Sequence, residues 1–222
     1  MIHRNWTMAA LVGAGILAAP CRAEIRPGQQ FVTLGMGAGV PLSEVDATAL
    51  GGGKKPLGSP GFYGSAQYIY HTRPSLGWGL EAAYSRFGDM DHNVFFGVLT
   101  TGGSVLTVQG IFRYVFLPER KASPYFLAGI GANRFSAHLK ARPTPPFAWA
   151  DTSTNEARTF VDASSTGFAF SLGLGVEGST RRDWVFGAEL RWLYARVDKD
   201  KFGESSGRAL GLYGRVGRKF GG

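Results

Sequence analysis

The chain has 222 residues, a single cysteine, a formal charge of +8 and 33 glycines. One cysteine excludes a disulfide-stapled fold and a multi-cysteine metal site, and basic residues scattered without an arginine-rich helix or stacking motif exclude a nucleic-acid footprint. Glycine stands at about twice its average usage. In LGMGAGV, LAGIGA and SLGLGVEG it alternates with apolar residues, a period of two that predicts strands rather than helices.

The chain opens with the basic stretch MIHRNWT, followed by an uncharged apolar run from Met8 to Ala19 that is too short to span a bilayer as a helix. This is the pattern of a secretory signal peptide, residues 1–23, with cleavage expected after Ala23 of Cys21-Arg22-Ala23. An alternative is a lipoprotein signal acylated on Cys21, although Pro20 stands where such signals carry a small residue. Cleavage after Ala23 removes the cysteine and leaves 22 basic against 16 acidic residues, so anionic lipid is the partner that the charge suggests.

From Phe31 to Val40, Val32, Leu34, Met36, Ala38 and Val40 share one parity, and Phe31, Thr33, Gly35, Gly37 and Gly39 the other. After a Gly- and Pro-rich connection, Phe62, Ala66, Tyr68 and Tyr70 alternate with Tyr63, Ser65, Gln67 and Ile69. HTRPSLG is a short turn, and Trp78, Leu80, Ala82 and Tyr84 then oppose Gly79, Glu81, Ala83 and Ser85. A fourth strand, Ser104 to Phe116, sets Leu106, Val108, Phe112, Tyr114 and Phe116 against Thr107, Gln109 and Arg113; LPERKAS is the turn that follows. The fifth begins at Pro124, and the sixth sets Phe168, Phe170, Leu172, Leu174 and Val176 against Ser171, Gly173, Gly175 and Glu177. After the turn GSTRRD, the seventh is WVFGAELRWLYA, residues 184 to 195. The eighth alternates Leu210, Leu212, Gly214, Val216 and Phe220 with Gly211, Tyr213, Arg215 and Lys219.

Eight strands of about ten residues fit a tilted membrane strand, and the connections alternate long and short. The expected fold is all-β, an eight-stranded antiparallel up-and-down transmembrane β-barrel over residues 24–222. Its four long outer loops are expected at about 41–60, 87–103, 137–165 and 196–207, its short turns on the periplasmic side. Large apolar residues lie on one parity and Gly, Ala, Ser and a few charges on the other, so the apolar side is expected to face lipid and the small-residue side to fill a narrow lumen. A soluble lipocalin-type barrel would reverse this.

SPYFLAGIGANRF at 123–135, FGAELRWLYA at 186–195 and GLYGRVGRKF at 211–220 resemble the small eight-stranded outer-membrane β-barrel family of Gram-negative bacteria, which includes the outer membrane protein A transmembrane domain and opacity-type surface proteins. The resemblance covers the whole mature chain. It implies an integral bacterial outer-membrane protein and makes Phe220 the terminal aromatic read by the barrel-assembly machinery, although Gly221 and Gly222 follow it here.

Glu81, Arg113, Glu177, Glu189, Arg191, Arg215 and Lys219 share the small-residue parity and are expected to form a paired charge network in the lumen. Similar barrels imply a second reading, a gate whose change of partners opens a narrow, low-conductance pore. Trp78, Tyr84, Tyr114, Phe116, Trp184, Tyr194 and Phe220 sit near strand ends on the lipid parity, as aromatic girdle anchors do. Ser136 and His138 offer a foothold for an outer-leaflet lipid hydrolase; lipid A deacylases are similar barrels with a His and a Ser on that side, but their motif runs His-x-Ser-Asn. No metal cluster and no cofactor site is read from the sequence. The expected function is a non-enzymatic scaffold whose loops meet a host or surface ligand or support envelope integrity, with Phe147 and Trp149 as loop contacts. The expected partners are outer-membrane lipid, lipopolysaccharide and, during biogenesis, the assembly machinery.

Overall fold

The computed structural model of the chain describes residues 25–46, 54–95, 97–143, 157–180, 182–199 and 206–221. Signal residues 1–23, Phe147 and Trp149 lie outside them. The strands are β1 (Gln30–Pro41), β2 (Glu44–Asp46), β3 (Lys54–Pro56), β4 (Ser59–Arg73), β5 (Leu76–Gly88), β6 (Met90–Val94), β7 (Gly97–Val115), β8 (Ser123–Pro143), β9 (Arg158–Ser179), β10 (Trp184–Arg196) and β11 (Ser206–Phe220).

Eight of them close on themselves, each antiparallel to the next, in the order β1, β4, β5, β7, β8, β9, β10, β11 and back to β1. Closure satisfies every strand edge inside the ring, which a bilayer demands because hydrocarbon offers no hydrogen bonds. Paired residues followed round the ring from Phe220 run through Gln30, Tyr70, Trp78, Phe112, Ala128, Leu172 and Trp192 to Leu210, a climb of ten residues in one circuit. That stagger sets the strand tilt and leaves a lumen that side chains fill.

The alternation of the sequence becomes an inside and an outside. In β10, Val185, Gly187, Glu189, Arg191, Leu193 and Ala195 are buried, while Trp184, Phe186 and Leu190 face out. In β1, Leu34 and Met36 are exposed and Thr33 is buried. The short turns stand at one end: β4–β5, β7–β8 and β9–β10, with the start of β1 and the end of β11 beside them. In the last turn Asp183 takes a positive φ of 62°, and the backbone amide of Thr180 donates to the carbonyl of Trp184 at 2.8 Å.

Two of the expected outer loops are corrected. Residues 97–103 belong to β7 and 137–143 to β8, paired from Gly97 with Pro143, and β9 already pairs with β8 from Arg158 opposite Ala141. Here the wall rises beyond the apolar band, and its outward residues include Thr100, Lys140 and Arg142 rather than large apolar groups, so an apolar alternation stops short of the strand. Within 41–60 and 87–103 the short strands β2, β3 and β6 add two hairpins, β2 with β3 and β6 with the outer end of β7.

Candidate functional site

The lumen is built from inward residues whose strands bring opposite walls together. Arg215 on β11 donates through Nη2 to Gln67 Oε1 on β4, and Gln67 Nε2 donates to Glu81 Oε2 on β5. Arg191 on β10 pairs with Glu81 and, through Nε at 2.7 Å, with Glu189; Arg215 Nη1 reaches Glu189 Oε2 at 2.8 Å. These five side chains form a closed cycle across the lumen. Tyr125 Oη from β8 donates to Glu189 Oε2 at 2.7 Å, Tyr213 Oη donates to Glu189 Oε1, and Arg215 Nη2 also donates to Thr33 Oγ1. Arg191 and Glu189 are each 1% exposed, so the charges survive only because they satisfy one another.

Arg113 and Glu177 form a second buried ion pair, joined to the cycle through Tyr125: the Arg113 guanidinium lies 3.7 Å from the centre of the Tyr125 ring. Among the described residues, the lumen thus sets three carboxylates against three guanidiniums. Lys219 is corrected out of this set: its amine lies 3.6 Å from Asp183 at the short-turn mouth, because its strand ends there and Asp183, in the adjoining turn, is its neighbour. The remaining members of the network were missed as a site. Gln67 and Tyr213 show on the inward parity, but an uncharged side chain on a small-residue face gives no sign that it will meet an ion across the barrel.

Apolar layers bound the charges. Toward the short turns, Ile25, Phe31, Ile69, Ile111, Val115, Tyr125, Leu127 and Val185 form one cluster. Toward the long connections, Leu57, Phe87, Val105, Phe135, Leu193 and Val197 form another cluster. Between the cycle and this upper layer, Tyr63 stacks on Tyr213 with ring centres 4.5 Å apart.

Outside, Trp78, Tyr114, Phe116, Trp184 and Phe220 stand exposed near the short-turn end, and Tyr84 and Tyr194 face out near the other. Trp78 meets Phe112 edge-on at 4.7 Å, and Tyr114 meets Phe116 at 5.3 Å. Ser136 and His138 both face outward on β8, and His138 Nε2 lies 3.1 Å from Asp89 Oδ1, a carboxylate that the sequence reading did not associate with it. Among the described residues, Ser136 makes no hydrogen bond to His138, and no group of three or more His, Cys, Asp or Glu is placed to hold a metal ion.

A family model described as an outer membrane protein β-barrel domain matches residues 8–220. Among solved structures, the attachment invasion locus protein of Yersinia pestis, in complex with the heparin analogue sucrose octasulfate, is 16% identical, covering 87% of this chain and 99% of its own, at a TM-score of 0.49. Neisserial surface protein A is 14% identical, covering 87% and 97%, at 0.47. The outer membrane protein OprG of Pseudomonas aeruginosa is 14% identical, covering 90% and 100%, also at 0.47. No curated protein matches the chain.

Proposed function

Because the chain belongs to the outer membrane protein β-barrel domain family, and is therefore an integral outer-membrane protein, we propose that it is a non-enzymatic scaffold, its barrel closed to solutes and its outer hairpins meeting the surroundings. The observation that carries this reading is the lumen: a charge cycle reaching from wall to wall, with an apolar layer on either side. An ion would have to break buried pairs and then pass between tightly packed apolar side chains, both costly.

The face offered outward is the tall side of the barrel, where β7, β8 and β9 run to 19, 21 and 22 residues against 12 in β1 and 13 in β10. Its role is surface contact or envelope integrity, the loops around Phe147 and Trp149 serving as contacts. Export through the signal of residues 1–23 and insertion through recognition of Phe220 by the assembly machinery belong to the same proposal.

Planar-bilayer recording tests it. The folded, heat-modifiable protein should be electrically silent, and steady conductance would favour the narrow pore. The hydrolase alternative draws on the His138–Asp89 contact. Mass spectrometry of lipid A from cells with and without the protein should show identical acyl chains; a lost chain restored by wild type but not by Ser136→Ala would overturn the non-enzymatic reading.

A further inference from the structure

Arg86 on β5, Arg134 on β8, Arg196 on β10 and Arg208 on β11 face outward at one level of the barrel wall. The register sets them level. The row of Arg86 runs through Ser104 to Ser136, and Arg134 lies two residues nearer the short-turn end of β8. Arg196 lies one residue beyond Ala195, whose row runs through Ala169 to Gly131, so it again stands two residues lower than Arg134's row. Arg208 lies two residues below Ser206, the partner of Arg196. Each step cancels the climb of the tilted strands, leaving the four at one height to within about one residue.

That height is where lipid-facing side chains give way to polar ones. Tyr84 and Tyr194 lie two residues nearer the short-turn end than Arg86 and Arg196 on the same outward faces. From Trp184 to Arg196 is a strand of about 30 Å after tilt, enough to put the arginines at the far headgroup level. Among the described residues, none of the four guanidiniums has an acidic partner. The arc is one-sided: at this height β1 and β4 present Val40 and Phe62, both exposed. Higher on β8, Lys140 and Arg142 continue the charge outward.

We propose that Arg86, Arg134, Arg196 and Arg208 form a phosphate-binding arc for the phosphorylated glycolipid of the outer leaflet. Arg196 and Arg208 form its tightest part, because Arg208 pairs with Tyr194, two residues from Arg196, and such diagonal neighbours on adjoining strands lie within reach of one another's long side chains. A phosphate monoester has three acceptor oxygens and can take two guanidinium forks at once, which fits arginine better than lysine. This deepens the lipid partnership of the proposed scaffold and rests on the lipid assignment of the exterior.

The test uses the full mature chain in detergent, with native mass spectrometry of bound bisphosphorylated lipid A against the same lipid after dephosphorylation. Wild type should retain the phosphorylated lipid and lose it on dephosphorylation. R196Q/R208Q should retain about tenfold less, the four-site variant less again, and R73Q/R120Q/R182Q in the short turns as much as wild type. Equal retention by R196Q/R208Q, or of the dephosphorylated lipid by wild type, overturns the proposal. The second comparison needs no variant to fold. Heat-modifiable migration of wild type and variants separates failure of the arc from failure of the barrel reading.

Discussion

Replacing Glu189 by alanine tests the lumen most directly. Its carboxylate accepts from Tyr125, Tyr213, Arg191 and Arg215. After Glu189→Ala, Arg191 still holds Glu81, but Arg215 keeps only neutral partners, Gln67, Thr33 and Tyr125. The lumen then holds two carboxylates against three guanidiniums. Breaking a buried pair from one side costs about 3–5 kcal/mol, and two tyrosine hydroxyls losing a charged acceptor place the expected loss toward the upper end. Removing Arg215 as well restores the balance, so Glu189→Ala with Arg215→Ala should cost less than the sum of the single changes by about 1 kcal/mol or more. Urea titration of the barrel refolded in phospholipid vesicles, read by tryptophan fluorescence and the heat-dependent gel shift, measures both. A Glu189→Ala variant within about 0.5 kcal/mol of wild type, as for a solvated surface carboxylate, would refute the reasoning.

Three further outcomes are expected. Leu80, 63% exposed near the middle of the outer wall, should tolerate arginine badly, at about 2–4 kcal/mol in vesicles, whereas Val40→Arg nearer the rim should cost about 0–1 kcal/mol; equal costs would refute the lipid-facing assignment. A Cβ on Gly37 would lie 2.2 Å from the carbonyl oxygen of Leu212 on β11, while one on Gly110 meets nothing nearer than 3.8 Å. Gly37→Ala should therefore lose about 1–3 kcal/mol in the same titration and Gly110→Ala little, and the reverse order would show the inward register to be wrong. Trp184→Ala, which removes a ring stacked on Phe186 at 6.5 Å near the short-turn end, should slow insertion into vesicles more than Phe95→Ala, since an interfacial ring anchors only at the headgroup level.

Much of the architecture was legible along the chain because a strand pairs sequence parity with side-chain direction, so every second residue belongs to one environment. In WVFGAELRWLYA that rule alone puts Glu189 and Arg191 opposite Trp184, Phe186 and Leu190. The rule gives no strand signal beyond the apolar band, where Leu99, Leu139 and Ala141 are buried but most outward neighbours, among them Thr100, Lys140 and Arg142, are polar. It also read the inward face as small and charged, although Phe31, Ile69, Ile111 and Leu127 at one end and Phe87, Val105, Phe135 and Leu193 at the other fill the lumen. Parity says that a residue points inward, not whether the far wall is near enough to pack against it.

The sequence by itself determined the number of ring strands, their inside and outside, and the medium on each side, because these follow from a local period and from the contrast between large apolar and small polar parities. Only the tertiary structure decided which charges meet. Glu81 and Arg191 are 110 residues apart along the chain and join because closure and a ten-residue stagger bring β5 and β10 across one lumen. The same stagger levels Arg86, Arg134, Arg196 and Arg208 on the outer wall. No local pattern encodes either result, since both depend on how far the sheet slips in closing on itself.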